Sequence, residues 1–107
     1  TIDQQTVHNN TSAFWRSGTT SLTNGATIEN YGVFEANDNS TMNGDATSSF
    51  QNKSGGEFQK TRSGTTTTIN ADFTNEGTID VIAGTLIFNG DLTAGDGTVI
   101  DLDEEHF

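Results

Sequence analysis

The fold is decided by the stretch at positions 73–90, which reads FTNEGTIDVIAGTLIFNG. Apolar residues alternate with polar ones at Ile79 and Val81, and an alternating pair returns at Leu86 and Phe88. That period of two places the apolar side chains of a strand on one face. An Ala-Gly step separates the two pairs and an Asn-Gly step follows the second, as at turns. The stretch therefore predicts short β-strands joined by tight turns.

An apolar residue two positions before asparagine recurs along the whole chain. Five copies, the last with alanine in place of asparagine, begin 21, 22, 23 and 19 residues apart. They are Val7-His8-Asn9, Ile28-Glu29-Asn30, Phe50-Gln51-Asn52, Phe73-Thr74-Asn75 and Leu92-Thr93-Ala94. The return of one residue type at one phase is typical of a β-solenoid, in which each repeat forms one coil. Sandwich strands need not repeat in sequence, so an antiparallel β-sandwich is the alternative.

We therefore predict an all-β fold, a right-handed parallel β-helix of about five coils of ~21 residues, as one domain over residues 1–107. Residues 1–6 form its N-terminal edge, 7–102 its coils and 103–107 an acidic tail. Coils stack about 4.8 Å apart, so identical positions form ladders. A ladder of side-chain amides is expected at Asn9, Asn30, Asn52 and Asn75. The core is expected to contain Phe14, Ile28, Phe34, Phe50, Phe58, Phe73, Ile79, Leu86, Phe88 and Val99.

The composition narrows the classes of partner. Fifteen acidic residues against four basic ones give a net charge of −11, and cysteine is absent. Nucleic acids and anionic membrane surfaces are disfavoured as partners, because their phosphates attract Lys and Arg. No apolar run approaches the roughly 18 residues of a membrane helix, so membrane insertion is not expected. Without cysteine there is no disulfide framework and no thiolate nucleophile.

A column of outward residues next to the core positions is the first candidate site. It comprises Trp15, Glu35, Gln59, Asp80 and Ile100. Glu35 and Asp80 would lie two strand spacings apart, about 9.5 Å at the backbone. That is near the upper end for the carboxylate pair of an inverting glycosidase. Such an enzyme also needs a walled cleft, for which five coils leave little chain, so we expect two solvated acids and no enzyme activity.

Trp15 and Tyr31, on adjacent coils, are the second candidate site. A ring with an apolar body and a polar edge suits stacking on a sugar, and partial burial near an open end is the alternative.

Two further patterns involve threonines and bases. Thr19 or Thr20, Thr41, Thr65 and Thr85 could form a ladder like the threonine faces of some ice-binding solenoids, although β-propensity and turn chemistry explain the same residues. Lys53, Lys60 and Arg62 cluster in the third coil, where they could bind an acidic sugar or offset neighbouring acids.

The acid-rich C-terminal segment is the candidate metal site. Asp96, Asp101 and Asp103 could offer carboxylate oxygens to calcium, a hard cation that prefers oxygen ligands. The stretch GDGTVID (95–101) resembles one partial copy of a calcium-binding nonapeptide repeat, and such sites close only between successive coils. The alternative is a solvated acidic tail, and no other cofactor is expected.

The units FTNEGTIDV (73–81) and AGTLIFNG (83–90) resemble the degenerate repeats of large bacterial surface β-helix proteins. These are haemagglutinin-like adhesins and autotransporter passenger regions, and the resemblance covers about residues 7–102. It implies an extracellular or cell-surface location and an elongated, mostly non-catalytic role. The expected function is a structural or adhesive module whose partners are neighbouring solenoid coils or further copies joined end to end. Carbohydrate binding is the first alternative, and ice binding or polysaccharide cleavage is less expected.

Overall fold

The structure is a computed structural model that describes residues 2–95 and 99–102. Its fifteen strands form three sheets, and each sheet takes every third strand. Sheet A contains β1 (Ile2–Asp3), β4 (Gly18–Thr23), β7 (Ser40–Gly44), β10 (Thr66–Ile69) and β13 (Thr85–Phe88). Sheet B contains β2 (Thr6–Asn9), β5 (Thr27–Asn30), β8 (Ser49–Asn52), β11 (Asp72–Asn75) and β14 (Leu92–Ala94). Sheet C contains β3 (Ser12–Trp15), β6 (Val33–Ala36), β9 (Glu57–Lys60), β12 (Thr78–Val81) and β15 (Val99–Leu102).

Each coil contributes one strand to each sheet, so coil 1 is β1–β3 and coil 5 is β13–β15. Every pairing between the described strands is parallel. Parallel neighbours require a crossover, and here the other two strands of a coil supply it. The predicted parallel β-solenoid with coils of about 21 residues is confirmed. The antiparallel sandwich is wrong, since none of the described strand pairs is antiparallel.

The repeat in the sequence matches the register of sheet B. Val7 pairs with Ile28 and Ile28 with Phe50, and the column continues through Phe73 to Leu92. The degenerate last copy therefore occupies the position that the repeat assigned to it. Turn lengths between coils vary by a few residues, but the apolar residue before each ladder position stays in phase.

Phenylalanine rings fill the interior. Phe50 and Phe73 stack in sheet B with centroids 4.8 Å apart, and Phe34 and Phe58 stack in sheet C at 5.6 Å. The two columns meet edge to face, as between Phe50 and Phe58 at 5.3 Å and 88°, a favourable arrangement of ring quadrupoles. Six of the predicted core residues are buried, namely Ile28, Phe50, Phe58, Phe73, Ile79 and Leu86. Phe34 and Phe88 are half-buried and pack against that cluster.

The predicted core position at Phe14 is wrong, and the backbone register of coil 5 differs from the predicted one. Phe14 is 53% exposed, and the register of sheet C places Ala13 opposite Phe34. In coil 5 it is Ile100 that pairs with Ile79, whereas Val99 pairs with Thr78. The turn after the ladder asparagine determines how many residues later the chain enters this column. In coil 1 the residue at that distance is Ala13, and the larger Phe14 follows one position later.

The turn between sheets B and C fixes that distance. Gly32 follows Asn30 there, and a Cβ atom on Gly32 would lie 2.2 Å from the Thr11 carbonyl oxygen. Further along the solenoid, a Cβ on Gly77 would lie 2.3 Å from the Gly56 carbonyl oxygen. Coils stack so closely at this corner that no side chain fits, and glycine is required for the approach of the two backbones.

Candidate functional site

The predicted asparagine ladder is present at the end of sheet B. Asn9 Nδ2 donates to Asn30 Oδ1 at 2.9 Å, Asn30 Nδ2 to Asn52 Oδ1 at 2.9 Å, and Asn52 Nδ2 to Asn75 Oδ1 at 2.8 Å. Asn30, Asn52 and Asn75 are fully buried. The same amides also donate to backbone carbonyls at the corner, as Asn52 does to Thr78 at 2.9 Å. The ladder therefore joins coils 1 to 4 and satisfies polar groups that the corner buries.

All the ladder bonds run in one direction. In each of the three bonds the Nδ2 atom belongs to the earlier coil and the Oδ1 atom to the later one. In coil 5 the register places Ala94 opposite Asn75. Within the part of the chain that the structure describes, the amide ladder therefore ends one coil before β14, where Ala94 is exposed.

A second row of asparagine amides, which was not predicted from the sequence, lies at the corner between sheets A and B. Asn70 Nδ2 donates to Asn43 Oδ1 at 2.8 Å, and Asn89 Nδ2 donates to Asn70 Oδ1 at 3.0 Å. This row is exposed and its bonds run opposite to those of the buried ladder. An asparagine followed by glycine or alanine at all three positions was the signal in the sequence.

The carboxylate column on the outer face of sheet C is partly as predicted. Glu35 pairs with Gln59 and Gln59 with Asp80, so the two acids lie two strands apart. Trp15 and Ile100 do not belong to the column, because Phe14 pairs with Glu35 and Asp101 pairs with Asp80. Glu35 accepts a hydrogen bond from the Thr61 hydroxyl at 2.9 Å.

Trp15 and Tyr31 have different ring partners. Trp15 occupies an inward position of coil 1 and meets the edge of Phe34 with centroids 6.2 Å apart. Tyr31 lies in the turn after β5, is 43% exposed and stacks on His8 at 6.1 Å and 17°. The predicted two-ring platform is therefore wrong, because the period of two in β3 directs Trp15 inward. Tyr31 instead joins His8 and Glu29, whose Oε1 atom lies 3.0 Å from His8 Nδ1.

Two of the three candidate calcium ligands lie outside the described residues. Asp96 and Asp103 lie outside the described residues, and Asp101 is placed by its backbone pairing with Asp80. Among residues 2–95 and 99–102 no group of three or more His, Asp or Glu side chains is arranged to hold a metal ion.

The threonine ladder differs from the predicted one. Thr19 pairs with Thr41 and Thr41 with Thr68 on the outer face of sheet A, but the next residue of the column is Ile87. Thr65 is buried and takes no part in that face.

Lys60 is buried, which the cluster of bases in the sequence did not reveal. Its side chain has no solvent exposure, and its Nζ atom donates to the Thr65 hydroxyl at 2.7 Å and the Asp38 carbonyl at 3.2 Å. Burial lowers the pKa of the Lys60 ammonium below its usual value of 10.5, an effect that the nearby Asp38 carboxylate opposes. The alternation of Glu-Phe-Gln-Lys in β9 was the signal, since Phe58 and Lys60 share the inward face.

Replacing Lys60 by methionine is expected to raise the free energy of unfolding at pH 7 by about 1 kcal/mol, because a desolvated charge is exchanged for apolar contacts. In the wild type the unfolded chain binds the lysine proton more strongly than the folded chain does. Wild-type stability relative to the variant should therefore rise as pH increases toward 10.5. Urea unfolding of both proteins from neutral pH up to that value measures this, and a constant difference would contradict it. Lys53→Met serves as the matched control.

An apolar cavity of about 250 Å³ opens at the N-terminal end of the solenoid. Its lining includes Ile2, Val7, Ala13, Trp15, Ile28, Phe34 and Met42. Ala13 lies in the column of Phe34 and Phe58, and Val7 in that of Ile28 and Phe50. In these two columns the side chains of coil 1 are thus smaller than those of coil 2, and the space above coil 2 is incompletely filled.

Comparison of the chain with protein-family models, with curated proteins and with solved structures finds no match in any of the three. Across the described residues, no helix has the length and apolar character needed to cross a membrane.

Proposed function

We propose that this chain is a structural module of an extracellular or cell-surface protein, which holds other parts of that protein at a fixed separation. The observation that supports this most is the buried amide ladder, which ties coils 1 to 4 in a single direction. Together with the stacked rings of Phe34, Phe50, Phe58 and Phe73, it joins each coil to the next along the solenoid axis. Such reinforcement suits a rod better than a reactive cleft.

The exterior and the ends agree with this role. The outer faces carry mainly threonine, serine, asparagine and acids, which suit a solvated shaft with a net charge of −11. Among the described strands, those of coils 1 and 5 pair on one side only, as expected of a segment that stacks with further coils. The resemblance to the repeats of bacterial surface β-helix proteins, noted above, favours the same location and role.

A spin-label distance measurement tests the rigid shaft. The chain has no cysteine, so labels can be placed selectively at His8→Cys and Thr93→Cys, which are exposed and in one outward column. Four strand spacings predict about 19 Å between their backbones, with a narrow distribution. The matched control adds Asn52→Ala, which should broaden it. A broad distribution in the otherwise unchanged chain would contradict a rigid spacer.

Carbohydrate binding is a second candidate, favoured by the exposed rings of Tyr31 and His8 beside the half-buried Glu29. Stacked rings offer an apolar face to a sugar, and Glu29 offers an acceptor for its hydroxyls. Glycan-array binding that is selective, and that Tyr31→Ala abolishes while Gln51→Ala does not, would support this candidate over a purely structural role. We expect no selective binding.

A further inference from the structure

The face of coil 1 that points away from coil 2 has the features of a coil–coil interface. Strands β1, β2 and β3 each pair with a strand of coil 2 on one side and have no described strand on the other. Two apolar side chains of this coil, Val7 and Phe14, are 38% and 53% exposed. An edge with free backbone donors and acceptors is a template for a further parallel strand.

The cavity at that end has the position of an inward side chain from another coil. Within the chain, each coil covers the next, and Phe50 stacks directly on Phe73. Coil 1 presents Val7 and Ala13 in the two columns where later coils have phenylalanine. A coil added above it would place its own inward residues over the opening, and a large apolar one would fill the 250 Å³ space.

The direction of the ladder specifies what the added coil must carry. Because each Nδ2 atom donates toward the following coil, the Asn9 side-chain oxygen is the acceptor that remains for a coil placed before it. Asn9 is half-buried at this edge, and an added coil would bury it as Asn30 is buried. The incoming residue must then be a donor, since a buried acceptor without a partner is costly.

We propose that this face of coil 1 binds a further β-solenoid coil, one that has asparagine at the ladder position and a large apolar residue inside. This inference rests on the proposed structural role and names the partner. A second copy of this chain is a poor occupant, because β14, its last described strand in sheet B, is exposed and presents Ala94 at the ladder position. The alanine methyl cannot donate to Asn9, so head-to-tail stacking of identical copies would bury an unsatisfied oxygen.

A variant of this chain can serve as the partner. Ala94→Asn supplies the missing amide, and a second change in the same chain, Val7→Lys, places a charge at its own N-terminal edge so that filaments cannot grow. Mixed with the wild type, this donor should form a one-to-one dimer in sedimentation velocity. Its dissociation constant should be at least about tenfold lower than that of wild-type self-association, as expected for a hydrogen bond that satisfies a buried group.

The controls distinguish the ladder hydrogen bond from nonspecific association. A donor with Thr93→Asn in place of Ala94→Asn carries its amide on the outward face and should not dimerise, and Asn9→Ala in the wild-type partner should abolish binding. Equal association of donors with and without the Ala94→Asn change would overturn the proposal in favour of a second copy. Absence of any dimer with a donor that melts like the wild type would overturn it altogether. Neither result bears on the spin-label distances that test the rigid shaft.

Discussion

The Phe58→Ala variant is expected to lose about 4 kcal/mol of unfolding free energy, within the range for removing a fully buried aromatic side chain. Phe58 has no solvent exposure and contacts three other rings, stacking on Phe34 and meeting the edges of Phe50 and Phe73 at 5.3 Å. Its removal opens a cavity where both ring columns meet. Denaturant unfolding followed by circular dichroism measures the loss.

Phe14→Ala is the matched control for that substitution. Phe14 is mostly exposed, with the Arg16 guanidinium 5.5 Å from its ring centroid, so its removal should cost less than about 1 kcal/mol. Equal losses for Phe14 and Phe58 would show that Phe14 is inside the solenoid and that the register of sheet C described above is incorrect.

The Asn52→Ala variant is expected to lose about 3 kcal/mol, because several buried groups lose their partner at once. Asn52 accepts from the Asn30 amide and donates to Asn75 Oδ1 and to the carbonyl oxygen of Thr78. Alanine leaves these atoms without that bond in a site that has no solvent exposure. Thermal and urea unfolding measure the change.

Two controls locate the effect in the ladder. Gln51→Ala alters the neighbouring outward residue, whose amide donates to the Ser49 hydroxyl at 3.3 Å, and should change stability by less than about 0.5 kcal/mol. Asn9→Ala, at the half-buried end of the row, should cost roughly 1 kcal/mol. A loss at Asn52 no greater than the loss at Asn9 would argue against a ladder that stabilises the interior.

The architecture could be predicted from the sequence because the pattern that indicates it recurs in every coil. The apolar residue and the asparagine two positions later recur at one phase, so parallel stacking and the ladder followed from spacing alone. The column through Phe34, Phe58 and Ile79 was also predicted, since each is the large apolar residue at its position. The repeat defines one sheet directly and the other two only through turn length.

The wrong predictions concern positions where the larger side chain is not the one that the strand register places inside. In coil 1 the large residue is Phe14, but the distance from Asn9 places Ala13 inside. That choice depends on backbone contacts such as the Val33 amide donating to the Thr11 carbonyl at 2.8 Å, which hydrophobicity does not encode. The same shift removed Trp15 from its predicted partners. The burial of Lys60 was not predicted, because a charged side chain is expected at the surface. The alternation in β9 nevertheless places Lys60 on the inward face with Phe58.

Strand pairing joins each coil of this chain only to the coils before and after it in sequence. The number of coils can therefore change by mutation without changing how the remaining coils pair. An in-frame deletion of residues 31–52 would join Asn30 to Lys53, so that the asparagine of coil 2 takes the place of Asn52 before the same turn. Duplication of that segment would add a coil with its own asparagine and inward phenylalanines. Unequal recombination between such repeats can therefore shorten or lengthen the gene product in steps of one strand spacing, while the fold of every remaining coil is preserved.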